Sequence, residues 1–273
     1  MWERLQNFDR RWIFLAMIVA IVVPLLRPVK MPFAVSERVQ KLYDELESIK
    51  PGELVLLSLD YGPESAPEVD PFTQAVMRHL ARKQARVVVI TLWHYILPMA
   101  TGHLERIYKK ELGLRYGVDY AWMGFRAGNE ATITNMTQSF KTVWSDDFWH
   151  TPSGKLPILD GVGALQDFRL VIDVSSGYPG AREYAQYAAT RYPQIKLAAA
   201  VAMVMVTDIA PYFGKQIFSY VDGIRGAAEY EKLVGTPGLA HAGVNVLTFG
   251  HLLIIAAIVF GNVIYFATRK RQS

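Results

Sequence analysis

Cysteine is absent from the 273-residue chain, and charged residues are scarce. Without cysteine there can be no disulfide framework, cysteine-based zinc site, iron–sulfur cluster or thiol nucleophile. Charged residues make up 20% of the sequence, against about 25% in an ordinary soluble domain. The net charge of +4 is too small to predict the basic face that nucleic-acid binding requires. We therefore expect no nucleic-acid partner.

The common signatures of catalysis and nucleotide binding are also missing. The sequence contains neither of the nucleotide motifs GxGxxG and GxxxxGK[ST], and it has no GxSxG nucleophile motif. Its six histidines are scattered, with none in HxxxH or HExxH spacing, and we expect His79 and His103 on exposed helix surfaces. The sequence therefore predicts no cofactor and favours a protein that is not an enzyme.

Two hydrophobic runs without charge lie near the ends of the chain, at residues 12–26 and 244–267. A membrane-spanning helix needs about 20 apolar residues. The second run is long enough, and long basic side chains beside the first extend its reach. A cleaved signal peptide is the alternative for the first run, but Arg27, Pro28 and Lys30 follow it instead of a small-residue cleavage site. We predict a transmembrane helix in the lipid bilayer at each end.

The basic residues beside the two runs predict how the chain lies in the cell membrane. Those on the terminal sides outnumber those on the inner sides, with Arg10, Arg11, Arg269, Lys270 and Arg271 against Arg27 and Lys30. Because basic flanks stay in the cytoplasm, the count favours a two-pass protein with cytoplasmic termini and an extracytoplasmic middle. The predicted parts are a tail and helix at 1–30, a central domain at 31–243, and a helix and basic tail at 244–273.

The middle of the chain alternates between strand-like and helix-like patterns. Short apolar runs predict five strands, at residues 54–59, 85–93, 120–125, 168–174 and 195–206. Helical spacing separates them, and residues 217–238 are also predicted to be helical, whereas the Pro- and Gly-rich residues 145–166 predict a long loop. Repeated strand–helix units predict the α/β class, with a Rossmann-like, mostly parallel sheet covered by helices.

In such a sheet, the polar residues that follow the strands meet at one edge, where ligands bind. On that ground the candidate ligand-binding residues are Asp60, Arg126, Gly128, Asp173, Ser175 and Ser176. The loops 124–129 and 175–180 contain glycine and precede predicted helices, a setting that suits a phosphate or another anion. The alternative is that the glycines only form turns and the aspartates only cap them. Asp60, Asp173 and Asp208 lack a paired metal-ligand spacing, so no metal site is predicted.

The second hydrophobic run carries small and polar residues. Ala257 and Gly261 have a small-xxx-small spacing, and Asn262 lies beside them. This pattern favours helix–helix association, with the first run or with another subunit, because an amide in lipid needs a partner. The alternative is that Asn262 bonds to its own backbone. Neither run contains Asp or Glu, so no proton or ion path is indicated.

Six stretches along the chain carry a likeness to a known family. They are SLDYGPESAPEVDP, MRHLARKQARVVV, YGVDYAWMGFRAGNEATI, VIDVSSGYPGAREYAQYAATRYP, DGIRGAAEYEKLVGTPG and HLLIIAAIVFGNVIYF. Together they resemble an uncharacterised family of prokaryotic proteins with two transmembrane helices and a central α/β domain. The resemblance covers most of the chain. It implies that architecture, and it implies no catalytic or binding residue.

Two functions from different classes follow from these patterns. The first is a membrane-anchored α/β subunit that acts as a scaffold or docking component of a larger membrane assembly, as a homo-oligomer or with other membrane subunits. The second is an extracytoplasmic ligand-binding or hydrolytic domain with its site at the carboxyl ends of the strands. A protein that purifies only as a monomer without a partner argues against the first. A strand-end cleft filled by apolar side chains argues against the second.

Overall fold

The computed structural model describes residues 9–27, 33–236 and 238–269. The chain divides into two compact units. One unit is Ala34–Pro237, and the other combines Met1–Phe33 with Gly238–Ser273. Four residues used in the predictions of membrane insertion and orientation lie outside the described residues, namely Pro28, Lys30, Lys270 and Arg271.

Residues 34–236 fold around a six-stranded sheet. The strand order is β3-β2-β1-β4-β5-β6, and every neighbouring pair is parallel. The strands are β1 (Leu54–Asp60), β2 (Arg86–Thr91), β3 (Tyr120–Phe125), β4 (Leu170–Ser175), β5 (Leu197–Val201) and β6 (Ile217–Asp222). Because the chain returns from β3 to place β4 beside β1, the strand order reverses between β1 and β4. The predicted α/β class with a parallel sheet is confirmed.

Helices connect the strands and cover the sheet. The α-helices of the described residues are α1 (Arg10–Leu26), α2 (Glu37–Glu47), α3 (Ala66–Arg82), α4 (Leu97–His103), α5 (Asn129–Met136), α6 (Phe140–Val143), α7 (Ala181–Glu183), α8 (Val206–Ile209), α9 (Gly223–Leu233) and α10 (Leu239–Arg269). Wider π-helical segments, Leu104–Glu111 and Tyr184–Ala189, continue α4 and α7. All seven residues of β1 are buried, which explains why its sequence is almost continuously apolar.

The sixth strand is the main departure from the predicted elements. Residues 217–238 were expected to be helical; the prediction is confirmed for α9 (Gly223–Leu233) and is wrong for Ile217–Asp222, which form β6. β6 pairs only with β5, and the first four residues of β6 alternate between buried and half-buried. An edge strand has one half-covered face, so it lacks the continuous apolar run that marks the central strands. The predicted loop at 145–166 is confirmed and contains short 3₁₀ turns.

The main core cluster lies on the face of the sheet that α5, α6 and α7 cover. Leu56 and Met123 enter it from the strands, and Trp144 enters it from the connection after β3. The long loop contributes as well, since Ile158 and Leu159 are fully buried. Burying an aliphatic side chain contributes about 1.5–3 kcal/mol to the free energy of unfolding. This loop therefore contributes to the stability of the fold as a packed helix does.

The first helix of this unit is tied to its last strand and helix. Ser36 donates to the carboxylate of Glu229 from its backbone N–H at 2.9 Å and from its hydroxyl at 2.6 Å. Arg38 forms an ion pair with Asp222 at 2.5 Å, and its guanidinium lies 4.9 Å from the ring centre of Tyr220. These contacts join residues 193 and 184 positions apart in the chain.

The other unit consists of two hydrophobic helices, α1 and α10, that pack against each other. Within α10, Leu239–Ala267 has a mean hydropathy of 2.2 and is long and apolar enough to cross a membrane. Helix α1 has 17 residues, which at about 1.5 Å per residue give roughly 25 Å, less than the hydrocarbon core of about 30 Å. Two membrane helices were predicted, and the described residues contain one helix that meets the length requirement.

The residues predicted to associate membrane helices lie in different surroundings on α10. Ala257 is half-buried, whereas Gly261 and Asn262 are exposed on the outer surface of this helix. On α1, Ala16 and Ala20 are half-buried. Small side chains at such positions let two helices approach closely.

Candidate functional site

The carboxyl ends of β1 and β4 bring two carboxyl groups and two hydroxyls together. In the register of these strands, Ser58 pairs with Asp173 and Asp60 pairs with Ser175. Side chains two residues apart in a strand point to the same face, so all four share one face of the sheet. None is more than 1% exposed. We call these four residues the acid cluster, and it lies where the strand order reverses, the usual ligand position in parallel α/β sheets.

Hydrogen bonds within the acid cluster are short. Ser58 donates to Asp60 Oδ2 at 2.5 Å, and Ser175 donates to Asp173 Oδ2 at 2.5 Å. Asp60 Oδ1 accepts from the backbone N–H of Leu92 at 2.6 Å. Each carboxyl group is therefore held by the serine two residues away on its own strand, and Asp60 is also held by the chain that follows β2.

The segment that follows β4 donates hydrogen bonds to both serines of the acid cluster. Tyr184 donates from its hydroxyl to Ser58 Oγ at 3.0 Å, and the backbone N–H of Ala181 donates to Ser175 Oγ at 3.1 Å. Both serine hydroxyls therefore accept one hydrogen bond and donate another. A serine fixed in this way has no proton left to give to a catalytic base, which a nucleophilic serine needs.

Burial raises the pKa of both carboxyl groups. Burial raises the pKa of Asp60 to about 6. Burial, and then the negative charge of Asp60, raises the pKa of Asp173 well above its usual value. Two adjacent buried carboxyl groups cannot both ionise at low cost, so ionisation of Asp60 opposes that of Asp173. Asp173 Oδ1 has no hydrogen-bond partner among the described residues, and the whole acid cluster is closed to solvent.

Trp93 packs over the loop that follows β4. Its indole N–H donates to the carbonyl oxygen of Pro179 at 2.9 Å. A Cβ atom on Gly177 would lie 3.0 Å from the Trp93 ring, and one on Gly180 would lie 2.7 Å from the carbonyl oxygen of Gly177. Both positions therefore favour glycine because of close packing, and the ring and the loop together cover the carboxyl edge of β4.

Carboxylates of the protein itself occupy both candidate anion-binding loops. At the start of α7, the N–H of Gly180 donates to Glu183 at 2.9 Å. In the first turn of α5, the carboxylate of Glu130 accepts from its own backbone N–H and from the hydroxyl of Tyr178. These negative charges take the place that an anionic ligand would need. Ser176, the remaining hydroxyl of the second loop, has its Oγ buried with no partner among the described residues.

Arg126 and Gly128 stabilise the conformation of the chain that follows β3. The Arg126 guanidinium pairs with Asp146 at 2.5 Å and lies 5.1 Å from the ring centre of Trp144. Gly128 has a φ of +126°, and a Cβ there would lie 2.5 Å from the Thr132 hydroxyl, so only glycine fits. Of the six predicted ligand-binding residues, the structure brings Asp60, Asp173 and Ser175 into direct contact, and it places Arg126 and Gly128 in a separate cluster.

The same edge of the sheet exposes large apolar side chains. They belong to the loops after β2, β4 and β5 and form what we call the edge patch: Tyr95, Tyr178, Met203 and Val204, between 49% and 76% exposed. Single exposed apolar residues are ordinary, but several along one edge suit contact with another molecule. This edge therefore combines buried polar groups inside with exposed apolar groups outside.

Two histidines do not lie where they were expected. His79 and His103 are 2% and 8% exposed, so the prediction of exposed helix surfaces is wrong for both. Nδ1 of His79 accepts from the Tyr230 hydroxyl at 2.6 Å, and Nε2 donates to Glu47 at 2.9 Å. His103 contacts Asp70 at 2.6 Å. Helix α9 packs across α3 and so buries the face that carries His79.

Sequence reasoning missed three residues of the site, Ser58, Trp93 and Tyr184. A signal for the first was present, because Ser-x-Asp ends β1 and the reversed pattern Asp-x-Ser ends β4. Two such patterns in adjacent strands place serine opposite aspartate twice. The two aromatic residues gave no such signal, since their role depends on which loop follows the neighbouring strand.

The described ranges contain no cluster of three or more histidine, aspartate or glutamate side chains placed to hold a metal ion. Asp208, the third aspartate considered for such a site, lies exposed in α8. Comparison of the chain with models of protein families gives no match, and comparison with curated proteins gives no significant similarity. Function is therefore inferred from the site alone.

Proposed function

We propose that the protein is a membrane-anchored α/β subunit that serves as a scaffold or docking component of a larger membrane assembly. The observation that supports this proposal is that, at the carboxyl edge of the sheet, the polar side chains are buried and the large apolar side chains are exposed. There the acid cluster and the loop ends bond to one another, while the edge patch is exposed. A docking surface needs exposed apolar side chains on a rigid support, and this edge provides both.

The same edge is poorly arranged for catalysis. A catalytic site needs polar groups that a substrate can reach. Here Asp60 and Asp173 are 0% exposed, and Ser175 donates its only hydroxyl proton to Asp173. These groups stabilise the junction of β1 and β4, and the proposed activity is binding rather than bond cleavage.

The proposal includes two membrane passes, with both termini in the cytoplasm and the α/β unit outside. The length and hydropathy of α10 support the second pass. Packing of α1 against α10 supports the first, because a short apolar helix is stabilised in a bilayer by a partner helix. The lipid bilayer and either a second copy or another membrane subunit are the proposed partners.

A photo-crosslinking amino acid at Val204 tests the docking role. Lys50 is the matched control, since it is exposed in the turn that precedes β1, at the opposite edge of the sheet. Irradiation of native membranes is expected to give an adduct of defined mass from position 204 and none from position 50. Equal adducts from both positions, or a protein that is monomeric and unpartnered in mild detergent, would refute the proposal.

The absence of cysteine makes the orientation easy to test. Lys155→Cys places one thiol on an exposed position of the α/β unit, and Gln272→Cys places one near the C-terminus. A membrane-impermeant maleimide added to intact cells is expected to label the first variant and spare the second until the cells are opened. The reverse pattern would overturn the orientation and leave the docking role standing.

A second candidate function is ligand binding or hydrolysis at the strand ends. The position of the acid cluster between β1 and β4 favours it, because parallel sheets of this order bind ligands there. If that function holds, Asp173→Asn abolishes it while leaving the fold intact. If the cluster is structural, the same variant changes thermal stability and leaves photo-crosslinking from Val204 unchanged.

A further inference from the structure

A cavity of about 300 Å³ lies away from the acid cluster, beside β3 and the π-helical segment Leu104–Glu111. Its walls include four aromatic side chains, Tyr116, Tyr120, Trp122 and Trp149. This volume is at the lower end of the range for small-molecule sites. The proposed docking role does not use these residues, so the cavity requires its own explanation.

The aromatic walls stand at steep angles and are held in place. The rings of Tyr116 and Tyr120 are 5.3 Å apart with an angle of 85° between their planes. Trp122 is 1% exposed, and its indole N–H donates to the Thr101 hydroxyl at 3.1 Å. The angle between the tyrosine rings is that of an edge-to-face contact, so the two rings hold each other in place, and Tyr120 and Trp122 are almost fully buried behind the lining surface.

Asp147 holds two of the lining residues, Tyr116 and Trp149, in place. This residue is 1% exposed. Its carboxylate accepts from the Tyr116 hydroxyl at 2.7 Å and from the backbone N–H of Trp149 at 2.9 Å. The Trp149 side chain itself is 59% exposed, so it forms the rim of the cavity. The buried carboxylate of Asp147 therefore fixes the positions of Tyr116 and Trp149, which come from different parts of the chain.

A negative charge lies at the mouth of the cavity. Glu105 is one of the lining residues, and burial together with the charge of Glu105 raises the pKa of Tyr120. Lys109 also lines the mouth, 3.9 Å from Glu105, but both side chains are more than half exposed. An ion pair between two exposed side chains contributes little, so a ligand cation can displace Lys109 from Glu105 at small cost.

We propose that this cavity binds a small quaternary ammonium group. Aromatic rings attract a cation through the negative potential of their faces, and a methylated ammonium also buries apolar surface against them. The carboxylate of Glu105 adds an opposite charge at the open side. An uncharged apolar ligand would gain nothing from that carboxylate, and an anion would be repelled by it. The chemistry fits a free choline-like solute or the headgroup of a choline lipid.

Calorimetric titration of the full chain with choline tests the proposal. The protein is held in nanodiscs of phosphatidylglycerol, which lack choline. The control ligand is 3,3-dimethyl-1-butanol, which has the shape of choline without its charge. Choline is expected to bind roughly tenfold or more tightly than this isostere, since only the cation gains from the ring faces. Equal binding of the two ligands, or no binding of choline, would overturn the proposal.

Substitutions of exposed lining residues test the aromatic cage, by which we mean the aromatic side chains that line the cavity, without disturbing the core of the fold. Trp149→Ala is expected to weaken choline binding by about tenfold, Glu105→Gln by about threefold, and Trp149→Phe by less than Trp149→Ala because a ring remains. Tyr187→Ala removes an exposed aromatic residue outside the cavity lining and serves as the matched control. Unchanged affinity in Trp149→Ala would contradict the cage even if choline binds elsewhere.

Nanodiscs of phosphatidylcholine distinguish the two sources of the ligand. If the lipid headgroup reaches the cavity, added choline binds more weakly in these discs than in phosphatidylglycerol discs. If the natural ligand is a free solute, its affinity is the same in both. Either result supports quaternary-ammonium binding, provided that choline outcompetes its neutral isostere.

Discussion

Asp60 and Asp173 share one face of the β1–β4 strand pair, and both are fully buried in the interior of the domain. Short hydrogen bonds from Ser58 and Ser175 hold this pair of carboxyl groups, and burial raises the pKa of each. Its stability therefore depends on pH in a direction opposite to that of the usual surface carboxylate.

The first prediction concerns that direction. The pKa of Asp60 is raised to about 6 in the folded protein, against about 3.9 in an unfolded chain. Between these values the folded state binds more protons than the unfolded state, so this group stabilises the fold most at low pH and loses that effect as pH rises through about 6. Asp60→Asn removes this titration, so the stability of the variant at about pH 4 relative to pH 7 is expected to be lower than that of the wild type, as measured by thermal unfolding.

Two further variants make this test specific. Asp60→Ala leaves the N–H of Leu92 without its acceptor, and a buried unsatisfied group of this kind costs about 1–3 kcal/mol at every pH. Asp208→Asn changes an exposed aspartate and should follow the wild-type curve. A wild-type pH dependence retained in Asp60→Asn would show that the pKa of Asp60 is not raised in the folded protein.

The second prediction concerns His79. Burial, and then the positive charge of Arg82, lowers the pKa of His79 to about 4. An unfolded histidine titrates near about 6.5, so the unfolded state binds more protons between these values. This group therefore lowers the stability as pH falls through that window. His79→Gln is expected to remove this acid sensitivity, measured by thermal unfolding at a series of pH values.

The control for His79 is its partner. Tyr230→Phe deletes the hydroxyl that donates to Nδ1 at 2.6 Å, and the loss of one buried hydrogen bond costs about 1 kcal/mol. Because the histidine is still present, that variant keeps an acid-sensitive curve at a lower stability. Identical pH profiles for wild type and His79→Gln would place the acid sensitivity elsewhere.

The third prediction concerns the loop over the acid cluster. A Cβ on Gly180 would meet the carbonyl oxygen of Gly177 and the Ser175 side chain at 2.6–2.7 Å. Gly180→Ala is therefore expected to destabilise the fold by about 1–3 kcal/mol. Gly102→Ala, at an exposed helical position with no atom within 4 Å, is expected to be neutral or stabilising by up to about 1 kcal/mol. Chemical denaturation of both variants measures the contrast.

The fourth prediction concerns the long loop. Arg126 bonds Asp146 and lies over the Trp144 ring. Arg126→Lys keeps the charge but loses the planar stacking, and about 1 kcal/mol of local stability is expected to go with it. Hydrogen exchange should then accelerate in residues 145–152 and stay unchanged in β1. Arg115→Lys, in an exposed pair with Asp119, is the control and should leave exchange in that loop as in wild type.

The parallel sheet was predictable because its central strands are covered on both faces and so are written as continuous apolar runs. The sixth strand was not, because Ser219 interrupts the apolar run of β6 and a helix follows it directly at Gly223. The sequence predicted that Asp60 and Asp173 lie at one edge of the sheet. It did not predict their contact, because contact depends on β4 being inserted beside β1, and strand order is not written in any local pattern.

The buried histidines illustrate the same limit. A lone polar residue on a helix reads as exposed unless the layer above it is known. His79 is buried because α9, more than a hundred residues later in the chain, packs across α3. Its partner Tyr230 lies in α9 and is 151 positions away, so no spacing rule within one helix could have found it.

The links from Ser36 to Glu229 and from Arg38 to Asp222 bear on mechanical load. They join the segments at the two ends of the α/β unit, each of which continues toward an apolar helix. A pulling force that reaches the unit through its chain ends meets these side-chain links before it reaches the strand ladders. The sheet, and the edge patch with it, is thereby shielded from tension applied at the ends of the unit.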